Sequence, residues 1–338
     1  MFDSIPQIAV SEFQLSDVAP GTKSRFHLTV DRLPDGALLT FPALVARGMQ
    51  PGKTLLATGG VHGDEYEGPI AIQDIFEELD VASLQGTFFG IPLVNGPAFV
   101  AGTREGGWDH LNLARIFPGC PDGLLSERIA FAFHEHVVGK ADMFLDIHSA
   151  GNLYAIKEFS GYQVRQGNMG EIQKCAAIAC GFDMVWGTSP KPGRSLSSAG
   201  DKGVPSIYIE MRGEGRCRSD QLAKTKLVLR NIMGFLGLTD HDFPKEPPRY
   251  CLETLGSEAG HLQIDHLSPA SGIFVPSIEL WDAVEEGQLL GSVRHPDGRV
   301  LGEINAKRAG RVLFLRTVPR VFAGDFIVFV LELPDGVV

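Results

Sequence analysis

The chain has 338 residues with 44% hydrophobic content, enough for one large domain and a smaller one around a sizeable buried core. Its formal net charge of -11 disfavours a nucleic-acid or anionic-membrane binder, since either partner calls for a basic surface. Five cysteines (Cys120, Cys175, Cys180, Cys217, Cys251) without a Cys-x-x-Cys pair, no apolar run of the roughly 18 residues a membrane span needs, and a start, Met1-Phe2-Asp3-Ser4, unlike an export signal predict a reduced, cytoplasmic, unexported protein.

Residues 1 to about 50 carry short apolar segments broken by turns, including Phe26 to Val30 before Leu33-Pro34-Asp35-Gly36, and read as a β preface built of hairpins. A strand-like run from Thr54 to Thr58, a helix from Gly68 to Leu79, a strand-like run from Thr87 to Val94 and a helix from Leu124 to Val138 follow. The alternation continues through Met143 to His148, Ile172 to Cys180 and Ser206 to Glu210, and ends in a helix from Ser219 to Leu236. Such alternation predicts an α/β domain over 1–242, with a mixed, mainly parallel sheet flanked by helices and ligand sites at the carboxyl ends of the strands. Asp240 to Pro248 is polar and proline-rich and marks a linker. Beyond it, over 250–338, short β-type runs such as Gly310 to Leu315 and Phe326 to Val330 predict a smaller all-β domain.

Two motifs stand at expected strand ends. His62 and Glu65 lie in Gly59-Gly60-Val61-His62-Gly63-Asp64-Glu65, and His148 lies in Asp146-Ile147-His148-Ser149. Two nitrogens and one carboxylate are a common ligand set of hydrolytic zinc, which leaves a fourth position for water. One Zn2+ per chain is therefore expected, although such donors admit several first-row metals. Asp146, two residues from His148 on one strand face, can orient that ligand or serve as an ordinary buried carboxylate. His134-Glu135-His136 has the wrong spacing for shared ligation from a helix and reads as a solvated surface. His261, His266 and His295 lack partners at ligand spacing, and no phosphate-binding glycine loop of the Gly-x-x-x-x-Gly-Lys-Ser type occurs.

Over roughly residues 50 to 330 the chain resembles the succinylglutamate desuccinylase and aspartoacylase family of zinc hydrolases, relatives of the metallocarboxypeptidases. The resemblance rests on Gly60 to Glu65, Asn95-Gly96-Pro97-Ala98 leading to Arg104, Leu111-Asn112-Leu113-Ala114-Arg115-Ile116-Phe117-Pro118-Gly119, and Asp146 to Ser149. The string from His62 to Pro69 and the Phe117-Pro118-Gly119 segment are most similar to bacterial deacylases of N-acetylated diamino acids. The resemblance implies that His62, Glu65 and His148 hold zinc, that Glu210 is the general base, with Glu214 its competitor, and that Arg104 stabilises the oxyanion. Arg115, with Asn112, would bind the substrate, a planar fork of donors meeting a planar carboxylate.

Two departures bear on the substrate. Ala114 stands where the family has Asn before the arginine of the carboxylate clamp, and Met211-Arg212-Gly213-Glu214-Gly215 replaces the usual Gly-Gly pair after the base. The expected function is deacylation of a small N-acyl amino acid by a chain that can form a homo-oligomer. The alternatives are a metallocarboxypeptidase acting on peptides and a catalytically silent protein that holds metal and ligand.

Overall fold

The computed structural model describes residues 5–256 and 259–333; Met1 to Ser4, read above for an export signal, and the last five residues of the expected C-terminal domain lie outside the described residues. The chain forms β1 (Gln7–Ala9), β2 (Thr22–Arg32), β3 (Leu38–Arg47), β4 (Gln50–Thr58), β5 (Gln85–Ile91), β6 (Met143–Ser149), β7 (Tyr154–Ile156), β8 (Phe159–Gln163), β9 (Met184–Thr188), β10 (Ser206–Met211) and β11 (Tyr250–Thr254). All but β7 join one ten-stranded sheet in the order β1-β2-β3-β5-β4-β6-β10-β8-β9-β11. Six of its nine neighbour pairings are parallel, and β5-β4-β6-β10 form the parallel centre. The expected mixed, mainly parallel sheet is present, and the N-terminal hairpin β2–β3 extends it.

Helices α1 (Glu67–Glu78), α2 (Gly96–Ala101), α3 (Leu125–His136), α4 (Asn168–Ala179), α5 (Ser195–Asp201) and α6 (Ser219–Leu236) connect the strands. The side chains Ile72, Ile75 and Phe76 of α1, Ala176 of α4, and Val228, Leu229 and Ile232 of α6 form a core on one sheet face. On the other, Ile129 and Phe133 of α3 pack with Leu196 and Ala199 of α5. A sheet covered on both faces asks for strands apolar throughout. In β6, Met-Phe-Leu-Asp-Ile-His-Ser, every residue is buried, and its polar residues stand in the carboxyl-terminal half. Buried polar groups need partners, so Asp146 and His148 mark where the sheet turns from core to chemistry.

Beyond β11 the chain builds two antiparallel sheets. One contains Gly310–Arg316 between Phe326–Leu331 and Ala283–Val284, and the other contains Leu289–Arg294 between Val300–Asn305 and Gly272–Pro276. Phe274, Leu290, Val293, Val312, Ile327 and Val330 fill the space between them. Strand β7 leaves the large sheet and pairs with Gly310–Arg316, Tyr154 opposite Arg316 and Ile156 opposite Phe314. In the other direction β11, on the far side of the 240–248 linker, closes the edge of the large sheet against β9.

The turn between β4 and α1 carries His62 and Glu65. Gly60 sits at φ +60°, and a Cβ on Gly63 would lie 2.0 Å from the carbonyl carbon of Ala98. The turn is therefore pressed against α2, whose Asn95 both caps the helix through Ala98 N–H (3.2 Å) and donates to Val61 O (3.3 Å). A methyl group at Gly63 has nowhere to go without displacing backbone. Gly63→Ala is expected to lower stability by about 1–3 kcal/mol, measured by urea unfolding, and an unchanged midpoint would show that the packing of this turn on α2 is dispensable.

Candidate functional site

His62, Glu65 and His148 are 2%, 2% and 8% exposed, and one donor atom from each lies within 4.8 Å of the other two. The structure thus brings together residues 83 positions apart. Glu65 Oε1 is 2.7 Å from His62 Nδ1, and Oε2 is 3.0 Å from His148 Nδ1 and accepts the Ser149 N–H at 3.1 Å. The far ring nitrogens are anchored as well. His148 Nε2 is 3.0 Å from Asp146 Oδ2, and Asp146 also accepts from Thr58 Oγ1 (2.7 Å) and from the Ser195 hydroxyl. His62 Nε2 is 3.2 Å from Asn112 Oδ1.

Charge follows from these contacts. Burial, helped by the neighbouring Arg104, takes His62 down to about 4, so its ring is neutral near pH 7. His62 Nδ1 faces Glu65 Oε1 at 2.7 Å, and the Arg104 guanidinium reaches both, 3.3 Å from the ring nitrogen and 3.1 Å from the carboxylate oxygen. For His148, burial opposes the charged form, but Asp146 and Glu65 outweigh it and hold the ring well above its usual range. Burial likewise opposes ionisation of Glu65, and His62 and His148 together hold it well below the usual carboxylate range. Two imidazoles and an ionised carboxylate, with both far nitrogens tied, are a donor set that fits a divalent first-row metal.

Glu210 stands opposite His148 in the β10–β6 register and opens onto the same cleft. Loss of water around it, opposed by His148 and supported by Glu65, pushes its carboxyl up to about 7. Glu214 is turned to Arg218 (2.6 Å) and Arg212 (3.6 Å); neither Glu214 nor Arg212 lines the cleft. Arg104 reaches Glu65 at 3.1 Å and lines the cleft with Ala114 and Arg115. Removal from water and the nearby guanidiniums of Arg194 and Arg104 take Arg115 down to about 10. His134, expected on a solvated face, is partly buried with Nδ1 2.7 Å from Ser198 Oγ.

The cleft has a volume of about 370 Å³, and the C-terminal region contributes Phe314, Leu262, Gln263 and Ile264 to its wall, with His261 beside them. Sequence reasoning missed Arg194, Ser195 and Gln163. Arg194 lines the cleft and donates to Gly260 O at 3.1 Å. The preceding Ser189-Pro190-Lys191-Pro192-Gly193 reads only as a loop, so nothing local singles that arginine out.

A sheet with a metal-competent His–Glu–His group at its strand ends and a carboxyl beside it is the form of a hydrolytic α/β protein. More narrowly, the chain belongs to the succinylglutamate desuccinylase/aspartoacylase family, whose catalytic-domain model matches residues 51–236. It is 28% identical to an N-alpha-acetyl-L-2,4-diaminobutyric acid deacetylase of Halomonas elongata, an alignment covering 98% of this chain and 96% of that one. The product-bound structure of the ectoine utilization protein EutE (DoeB) from Ruegeria pomeroyi superposes with a TM-score of 0.83 at 26% identity, over 94% of this chain and 97% of that one. A succinylglutamate desuccinylase/aspartoacylase structure from Rhodobacter sphaeroides shares the fold, with a TM-score of 0.80 at 24% identity over 96% and 98% of the two chains. Among the described residues no helix is long and apolar enough to cross a membrane.

The raised carboxyl of Glu210 has a thermodynamic consequence. Between the ordinary value of 4.5 and about 7 the folded protein keeps a proton that the unfolded chain has released, so this group's contribution to stability falls as pH rises through that window. In metal-free protein, Glu210→Gln removes the loss. The variant is expected to gain melting temperature over the parent between pH 5 and pH 8, and a difference that does not change with pH would show that Glu210 is not held protonated.

Proposed function

We propose that this protein is a zinc-dependent amide hydrolase that removes a small acyl group from an N-acylated amino acid. The observation that carries this reading is the convergence of His62, Glu65 and His148 with Glu210 and three arginines, Arg104, Arg115 and Arg194, in one cleft. Residues 1–242 are the catalytic domain and 250–338 the C-terminal domain in this reading. His62, Glu65 and His148 would hold the ion, which when bound supplies Lewis acidity to the acyl carbonyl and to water.

The remaining work belongs to the chain. Glu210, opposite His148 in the same cleft, accepts the proton of the attacking water and passes it to the departing amine. Arg104, already fixed by Glu65, stabilises the charge that develops on the acyl oxygen. Arg115 receives the carboxylate of the amino acid, with Arg194 on the same wall. Ala114 provides no side-chain hydrogen bond beside Arg115, so Arg194 and Gln163 are left to define the rest of the substrate. Phe314 and Leu262 narrow the cleft from the C-terminal side, which favours a small substrate over a peptide, and the placement of Glu210 favours turnover over silent binding. The relation to a diaminobutyric acid deacetylase supports an N-acetyl amino acid as the first substrate to try.

The test is amine release from a panel of N-acetyl, N-succinyl and N-formyl amino acids by zinc-loaded protein, against a chelated control and a panel of C-terminally blocked dipeptides. Metal-dependent release from the first panel is expected, and cleavage of the dipeptides alone would replace this reading with a peptidase. On the best substrate, Glu210→Gln should keep zinc and lose activity by about 10²–10⁴-fold, while Arg115→Ala should chiefly raise KM. Undiminished turnover in the first variant would remove Glu210 as the base, and an unaltered KM in the second would remove the clamp.

A further inference from the structure

Asn112 was expected to bind substrate, and in the structure its side chain also has partners within the chain. Ala114 and Arg115 line the cleft, but Asn112 does not. Its Oδ1 caps the short turn Leu113–Arg115 by accepting from Ala114 N–H at 3.0 Å. That bond settles which amide atom is the oxygen, because a backbone N–H needs an acceptor. The same oxygen lies 3.2 Å from His62 Nε2, so it accepts there too, fixing the His62 ring with its Nδ1 toward Glu65.

We propose that Asn112 is a positioning residue: through one amide oxygen it locks the His62 ring for metal binding and, at the same time, the turn that presents Arg115. This rests on the metal-dependent reading above. It makes the two histidines unequal. His148 is backed by a carboxylate, Asp146, itself held by Thr58 and Ser195, whereas His62 is backed by a neutral amide that shares its oxygen with a backbone N–H. Partners of this kind raise the ligand's basicity according to their charge. The His62 arm is therefore the weaker hold on the metal, and Asn112 sets its strength.

The experiment measures zinc affinity directly, by competition between protein and a chromophoric chelator, so that it does not depend on activity. Asn112→Ala is expected to weaken zinc binding by about 10–100-fold and, because the Arg115 turn loses its cap, to raise KM as well. Arg115→Ala in the same assay raises KM and leaves zinc affinity unchanged, which separates the two arms. Asn112→Asp keeps an acceptor for both donors and adds charge, so its zinc affinity equals or exceeds that of the parent. Zinc affinity in Asn112→Ala within twofold of the parent would overturn the proposal. Should that variant not fold, weaker binding by a folded Asn112→Asp overturns it equally. If the unaltered protein binds no zinc, the proposed function itself fails; if it binds zinc and the alanine variant binds equally, only the role of Asn112 fails.

Discussion

An ionised carboxylate at 2% exposure would cost several kcal/mol if left alone, and Glu65 is not left alone: two imidazoles, a guanidinium and a backbone N–H converge on its two oxygens. These partners arrive from different places in the chain. His62 is on the same turn, Arg104 follows α2, and His148 and Ser149 end β6. To satisfy one carboxylate the fold must therefore bring three loops to the carboxyl end of the central strands, and once it has done so the donors for a metal are already assembled.

The surrounding architecture holds those loops with close backbone contact more than with long side chains. Gly63 lies against Ala98, Gly63 N–H reaches Thr103 O at 3.0 Å, and Asn152 N–H donates to Asp64 Oδ2 at 3.0 Å, so the His62 turn touches both the α2 loop and the turn after β6. Asp64, lying between two ligand-bearing turns, ties one to the other. This division of labour explains the wording of the motif. His62 and Glu65 bear the donors, Gly63 allows the approach, and Asp64 fastens the neighbouring loop.

Much of this was legible in the sequence. The parallel centre, the helices α1, α3 and α6, and the strand-end placement of His62, Glu65, His148 and Glu210 follow from apolar runs long enough to leave a period. What was not legible lacked such a signal. Strands β8 (Phe-Ser-Gly-Tyr-Gln) and β9 (Met-Val-Trp-Gly-Thr) are short and carry glycine, and they are strands because neighbours pair with them and bury them. Helix α5 is a seven-residue run of serine and alanine character whose role is spatial, since it brings Ser195 to Asp146 and Arg194 to the cleft. Asn112 was visible as a motif residue, but its partner could not be read from spacing, because an amide oxygen that serves a backbone N–H and a ring fifty residues away is a fact of three dimensions.

Strand β7 also bears on how such proteins can change. Three residues that leave the large sheet immediately after the His148 turn are stitched to the strand Gly310–Arg316, and the same segment is hydrogen-bonded to the stretch after Glu210 through Ala150 N–H to Met211 O and Ile156 N–H to Arg212 O. The large sheet and the C-terminal sheets thus exchange strands in both directions, β7 outward and β11 inward. A C-terminal region joined in this way is not an interchangeable cassette. Its replacement by recombination at the linker would leave two severed ladders, one of them directly behind a ligand and the base, so the wall of the cleft and its chemistry must diversify together, by substitution within an intact chain.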